Sequence, residues 1–182
     1  MYGEVLVTRV FWLFGRSGAG KTTLAVRLQQ GLRDRGVPVF FIDGDEARGG
    51  LSSDLGFHPE ARTEHHRRVA EVARLASRQG IVPIVATMAP EYVQRDVVRR
   101  TLGERLVWVF VDAPLDECLR RDPKGLYRRA KAGQVRNLIE YPFDTPRPEE
   151  CGVTIQTGGA EIAESCRDLL REVLTQLVDY NP

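Results

Sequence analysis

The residues Gly15, Arg16, Ser17, Gly18, Ala19, Gly20, Lys21 and Thr22 follow the spacing G-x-x-x-x-G-K-[ST], which is a way of holding phosphate. Glycines let backbone N–H groups turn inward onto phosphate oxygens, and the N-terminus of a following helix adds partial positive charge. Lys21 then reaches the β- and γ-phosphates, and the Thr22 hydroxyl ligates Mg²⁺. The alternative, an ordinary glycine-rich turn with a surface lysine, fits poorly. An apolar run, Val10-Phe11-Trp12-Leu13-Phe14, precedes the motif, and Leu24, Ala25, Leu28 and Leu32 follow it at helical spacing.

A second reactive group is Asp43-Gly44-Asp45 with Arg48, directly after the apolar run Val39-Phe40-Phe41-Ile42. In open α/β sheets ligands lie beyond the carboxyl ends of the strands, so these residues should face the crevice that holds the cradle. Two carboxylates there can orient a hydrated Mg²⁺ or accept a proton from an incoming hydroxyl. The plainer reading is an Asx-type turn capping the next segment. Arg62 and His65, three apart near a helix start, share one side and could face the crevice. His65-His66 is a poor metal pair, because adjacent helical positions point apart and no further ligands are near.

The third group is basic. Between positions 120 and 136 lie Arg120, Arg121, Lys124, Arg128, Arg129, Lys131 and Arg136 against one acid, Asp122. A solvated helix face is one explanation; a hinged lid that closes over polyanionic ligands is the better one, since Asp122-Pro123-Lys124-Gly125 interrupts the helical pattern.

These groups need a scaffold. The 182 residues, 42% of them hydrophobic, can bury one sizeable core, so a single domain over 1–182 is expected. Strands are expected at 10–14, 39–42, 81–87, 106–111 and 153–156, with Pro83 arguing against a central place for the third. Helices are expected at about 21–35, ended by Gly36, then 59–79 and 91–102, with another begun by Pro114 and a last amphipathic one carrying Ile162, Cys166, Leu169, Leu170, Val173 and Leu177. Asp112 should either assist at the metal or cap the helix begun by Pro114. The alternation implies an α/β fold, a parallel sheet of about five strands covered on both faces. Cys118, Cys151 and Cys166 form no C-x-x-C pair and read as buried, reduced thiols. With no signal peptide or membrane-length apolar run, a cytoplasmic location is expected. A formal net charge of +1 gives no case for nucleic acid or membrane as a partner.

With those residues in place, the chain resembles the adenylylsulfate (APS) kinase family of P-loop kinases along nearly its whole length. The matching stretches are Gly15 to Thr23, Asp43 to Arg48, Asp54-Leu55-Gly56-Phe57, Arg67 to Ala73 and Arg121 to Tyr127. The resemblance implies a three-layer α/β/α P-loop NTPase fold, a role in sulfate assimilation, and transfer of the γ-phosphate of MgATP to the 3′-hydroxyl of adenylyl sulfate. It implies that Gly15, Ser17, Gly18, Ala19, Gly20, Lys21, Thr22, Thr23 and Arg121 bind ATP, and that Thr22 and Asp43 hold Mg²⁺. Lys21, Asp43 and Asp45 would be catalytic, Arg48, Arg62, His65, Lys124 and Leu138 would bind the acceptor, and 120–136 would be the lid. The departures gather on the acceptor side. His65 stands where the family has Asn, Met88-Ala89-Pro90-Glu91-Tyr92 where it has I-S-P-Y-R, and Leu138-Ile139-Glu140 in a shortened version of its F-T-G-I-D run.

Two other readings stay open at this point. One is a same-fold kinase for another nucleotide-activated small molecule, such as a cytidine diphosphate derivative. The other is a nucleotide-dependent switch, although an N-K-x-D guanine reader and an L-S-G-G-Q signature are both lacking. Every version predicts a small anionic nucleotide as partner, and a homodimer is compatible with all of them.

Overall fold

The computed structural model describes residues 7–134, 143–159 and 161–178. Its elements follow in the order β1 (Val10–Phe14), α1 (Lys21–Arg33), β2 (Val39–Asp43), α2 (Gly44–Gly49), α3 (Pro59–Ser77), β3 (Val82–Ala86), α4 (Tyr92–Leu102), β4 (Leu106–Asp112), α5 (Leu115–Arg121), α6 (Leu126–Lys131), β5 (Val153–Gln156) and α7 (Ile162–Val178). The strands form one parallel sheet in the order β2-β3-β1-β4-β5.

Strand β1 lies at the centre with all five residues buried, which explains why it reads as a continuous apolar run rather than an alternating one. Phe11 and Leu13 face the layer made by α1 and α7. Val10, Trp12 and Phe14 face α3 and α4. Burying side chains of this size contributes about 1.5–3 kcal/mol each, so the strand that ends at the phosphate motif is also the best anchored. The three-layer arrangement expected from sequence is present.

Strand β3 occupies an interior position, contrary to the inference from Pro83. Alternate residues of a parallel strand serve alternate neighbours: the Val82 N–H donates to Pro38 on the β2 side, whereas that of Thr87 donates to Leu13 of β1. By that alternation Pro83 faces β1, and pairing with β1 begins only at Phe11 and Ile84. The missing donor therefore falls at the entrance of the ladder.

Two ends deserve the same accounting of backbone groups. After α1, Gly36 has φ of +76° and donates to Arg33 while Val37 donates to Leu32, the paired closure that glycine permits at C′. At the start of α3, the His58 ring accepts from the Ala61 N–H at 3.4 Å, with Pro59 in the first turn. Of the three cysteines, Cys118 alone is fully buried, Cys151 and Cys166 are half-buried, and all are free thiols. Among the described residues no helix is long and apolar enough to cross a membrane.

Candidate functional site

The phosphate motif connects β1 to α1, and its glycines answer to different demands. Gly15 has φ of +151°, and a Cβ there would lie 2.3 Å from the Val111 carbonyl oxygen of β4. Gly18, at φ of +79°, would place one 2.8 Å from the Cys118 carbonyl. Both glycines thus let the loop pass close to neighbouring backbone. Gly20, in the left-handed region, is the N-cap of α1. Lys21 folds back onto the loop, donating to the Gly15 carbonyl at 2.9 Å and that of Arg16 at 2.7 Å. Burial pushes its ammonium down to about 8, against the pull of Asp45 and Asp43.

Asp43 ends β2 and does two things at once. Its Oδ1 accepts from the N–H groups of Asp45 at 2.9 Å and Glu46 at 3.4 Å, capping α2, while Oδ2 accepts from the Thr22 hydroxyl at 3.0 Å. The cap and the site are therefore not competing explanations of this residue. A hydroxyl beside a carboxylate is the hard-oxygen pair that suits Mg²⁺. Among the described residues no group of three or more metal-binding side chains exists, so an ion at this pair would take its remaining ligands from phosphate and water.

The basic segment lies against the same loop. Tyr127 of α6 donates its hydroxyl to the Ser17 carbonyl at 3.1 Å, and its burial pushes the phenol up to about 12. Arg121 donates to the carbonyls of Gly18 and Thr157, and Lys124 pairs with Asp45. The turn between α5 and α6 is closed by the Asp122 carboxylate, which accepts from the Tyr127 and Arg128 N–H groups at 3.1 and 3.0 Å.

Across the crevice lies a second set, built on α2, α3 and the connection between them. Arg48 donates to the Gly56 carbonyl at 3.0 Å, and Arg62 to that of Phe57 at 2.7 Å. Their guanidinium carbons sit 5.1 and 5.9 Å from the centre of the Phe57 ring, which is 69% exposed. Burial lowers both arginines from their usual value, and the charge of Arg62 lowers Arg48 further. His65 is buried with Nδ1 3.0 Å from the Ser52 hydroxyl, and burial, with Arg48 and Arg68 adding to it, brings its ring down to about 4. The loop carrying Ser52 and Phe57 is clasped to α3 by Arg68, which meets the Asp54 carboxylate at 2.6 and 2.9 Å.

One cleft of about 780 Å³ is lined by Ser17 through Thr23, Asp43, Asp45, Arg48, Arg62, His65, Arg121 and Lys124. Of the expected site residues, Gly15 stands apart from this lining, serving the contact with β4, and Leu138 lies outside the described residues. Asp112 does not cap α5, whose N-cap is Pro114, and it stands outside this lining, its Oδ2 accepting from the Gln156 side chain at 2.9 Å. Several residues in and around the cleft were not among the expected site residues. Phe57, His66 and Gln94 line it. Arg95, fully buried, pairs with Glu150 at 3.0 Å and donates to the Ala89 and Pro90 carbonyls at 2.9 and 3.0 Å, holding the loop after β3. The one aromatic in an aperiodic connection was a usable signal for Phe57; nothing in the periodicity marked Gln94 or Arg95.

Comparison with known proteins bears on this geometry. Residues 7–156 match the family model for adenylylsulphate kinase. The chain belongs to the adenylylsulfate kinase family. It is 43% identical over 166 residues to the adenylyl-sulfate kinase of Klebsiella pneumoniae, covering 90% of this chain and 83% of that one. With the adenylyl-sulfate kinase of Paraburkholderia xenovorans it shares 44% identity over 168 residues, 91% of this chain and 93% of the other. Among solved structures, the APS kinase CysC of Mycobacterium tuberculosis in complex with AMPPNP and APS superposes with a TM-score of 0.86 at 31% identity, covering 93% of this chain and 98% of that one. Membership makes the chain an ATP-dependent phosphotransferase of the P-loop kinase fold.

Proposed function

We propose that this kinase transfers the γ-phosphate of ATP to the 3′-hydroxyl of adenylyl sulfate, giving ADP and the 3′-phosphorylated product, in the cytoplasm. The observation that carries the reading is the joint lining of one cleft by Lys21, Thr22 and Asp43 on one side and Arg48, Phe57 and Arg62 on the other. The first set suits a polyphosphate with its metal. The second suits an anionic nucleotide, offering two guanidiniums for a phosphate-sulfate and an exposed ring for a base.

Thr22 and Asp43 would hold Mg²⁺, which would supply positive charge to offset that of the polyphosphate. Lys21 leaves its loop carbonyls to meet phosphate oxygen. The acceptor oxygen attacks the γ-phosphorus, the bond to the β-phosphate oxygen breaks, and ADP departs. Asp43 receives the hydroxyl proton, and Asp45, on α2, positions the lid through Lys124. The segment carrying Arg121, Lys124 and Tyr127 acts as the lid, excluding water so that phosphate passes to the acceptor alone. The test is ADP release measured against adenylyl sulfate and a panel of nucleotide-sugar, cytidine diphosphate and mononucleotide acceptors. Mg²⁺-dependent turnover with adenylyl sulfate alone is the expected result, and turnover with a different acceptor class at higher kcat/KM would replace the assignment.

A further inference from the structure

Two side chains that α3 and α4 contribute to the cleft, His66 and Gln94, carry polar atoms without hydrogen-bond partners among the described residues. Gln94 is fully buried and His66 is 5% exposed. Neither polar atom of the Gln94 carboxamide nor Nε2 of His66 has a hydrogen-bond partner among the described residues, yet both side chains line the cleft. A buried polar group left unpaired is costly, and three such atoms on two side chains that line one cleft point to a ligand that satisfies them.

Their chemistry narrows what that ligand presents. The His66 Nδ1 lies 2.8 Å from the Arg62 carbonyl oxygen, which only accepts, so Nδ1 carries the proton. Burial keeps the ring neutral, with its pKa down at about 3, and Nε2 is therefore a bare acceptor. The neighbouring rings offer it no proton: His65 is turned to Ser52, and the Trp12 indole N–H is committed to the Thr87 hydroxyl at 2.9 Å. Gln94 adds one acceptor oxygen and an amide donor. The two side chains thus offer two acceptors and one donor group. An ionised sulfate or phosphate, acceptor-only, could satisfy just the Gln94 amide and would face two lone pairs.

We propose that Gln94 and His66 are acceptor-specificity residues, hydrogen-bonding an uncharged N–H- or O–H-bearing edge of the nucleotide acceptor while its anionic end stays at Arg48 and Arg62. The inference rests on the adenylyl sulfate reading above. In that substrate the donor-bearing groups are the 6-amino group of the base and the ribose hydroxyls, and both are arms of the test.

The near-isosteric variants Gln94→Leu and His66→Leu decide it. If the two residues are only imperfectly paired core, exchanging them for apolar groups should leave KM for both substrates unchanged and hold or raise Tm. If they read the acceptor, KM for adenylyl sulfate should rise roughly tenfold or more in each variant, with KM for ATP unaffected and Tm not lowered. Inosine 5′-phosphosulfate, lacking the 6-amino donor, and the 2′-deoxy analogue then locate the contact. The parent should discriminate against one of them, and Gln94→Leu should lose that discrimination. An unchanged acceptor KM in both leucine variants of an active enzyme, or a parent that uses both analogues as well as adenylyl sulfate, overturns the inference alone. A parent inert toward adenylyl sulfate refutes the acceptor assignment beneath it.

Discussion

The two sides of the cleft differ in how far they are complete without ligand. On the nucleotide side every named group already has a partner: Lys21 on its own loop, Thr22 on Asp43, Tyr127 on Ser17, Arg121 on Gly18. On the acceptor side Arg48, Arg62 and His65 are paired too, but Phe57 is exposed, and Gln94 and His66 keep unpaired polar atoms. A site that can close on itself trades one set of hydrogen bonds for another when its ligand arrives, so its net gain comes from charge. A site left open gains the full pairing, and discriminates most sharply against ligands that fail to supply it. On the function proposed above, strength of phosphate binding and choice of acceptor belong to opposite walls.

The sharpest break between the walls is expected at Asp43, which belongs to neither alone. Asp43→Asn should lower kcat by roughly 10²–10⁴-fold through lost proton acceptance and metal placement, with a smaller change in KM for ATP. Asp45→Asn, which removes the charge paired with Lys124 and part of the field on Lys21, should cost much less. Steady-state kinetics on the pair checks this, and a larger kcat defect at Asp45 would reverse their roles.

Next in size is Lys21→Ala, expected to remove on the order of 10²–10³-fold in kcat with Tm held or raised, because a desolvated cation is being deleted. The free enzyme holds this ammonium at about 8, whereas polyphosphate demands it charged. ATP affinity should therefore fall as pH rises above about 8, with a proton taken up on binding, and Lys21→Arg should remove that dependence. Calorimetry in buffers of different ionisation enthalpy reads the proton directly.

The smallest effect belongs to the acceptor wall and to stability. His65 and His66 are held near 4 and 3, below the usual value of about 6.5 for an unfolded chain. Between those values the unfolded state binds protons that the folded state refuses, so stability falls as pH falls through that window. Each group contributes at most about 1.4 kcal/mol per pH unit. Urea midpoints from pH 7 to 4 should fall for the parent and fall less for His65→Asn, whereas a slope unchanged in the variant would remove His65 from the account.

Much of this architecture was legible from residues alone, for identifiable reasons. The P-loop is contiguous, its glycines are fixed by backbone geometry, and its strand is buried on both faces, so pattern and structure coincide. Asp43 was legible because strand ends in a parallel sheet converge. Pro83 misled because its cost depends on which neighbour its nitrogen faces, and register is not written locally. Gln94, His66 and Arg95 were invisible for a related reason: their meaning comes from a partner, or the want of one, brought in from a distant element. Glu150 meets Arg95 across 55 positions, and no helical period announces that.

The aromatic packing of the central strand carries a practical consequence. The chain has two tryptophans, Trp12 and Trp108, with ring centres 6.1 Å apart, both on the face of the sheet covered by α3 and α4. Trp12 stands 6.3 Å from the His66 ring and bonds Thr87. All indole emission therefore originates behind the acceptor wall. Titrating adenylyl sulfate should shift or quench that emission, while ATP alone should leave it nearly still, giving the enzyme an optical signal of its own for one substrate and not the other.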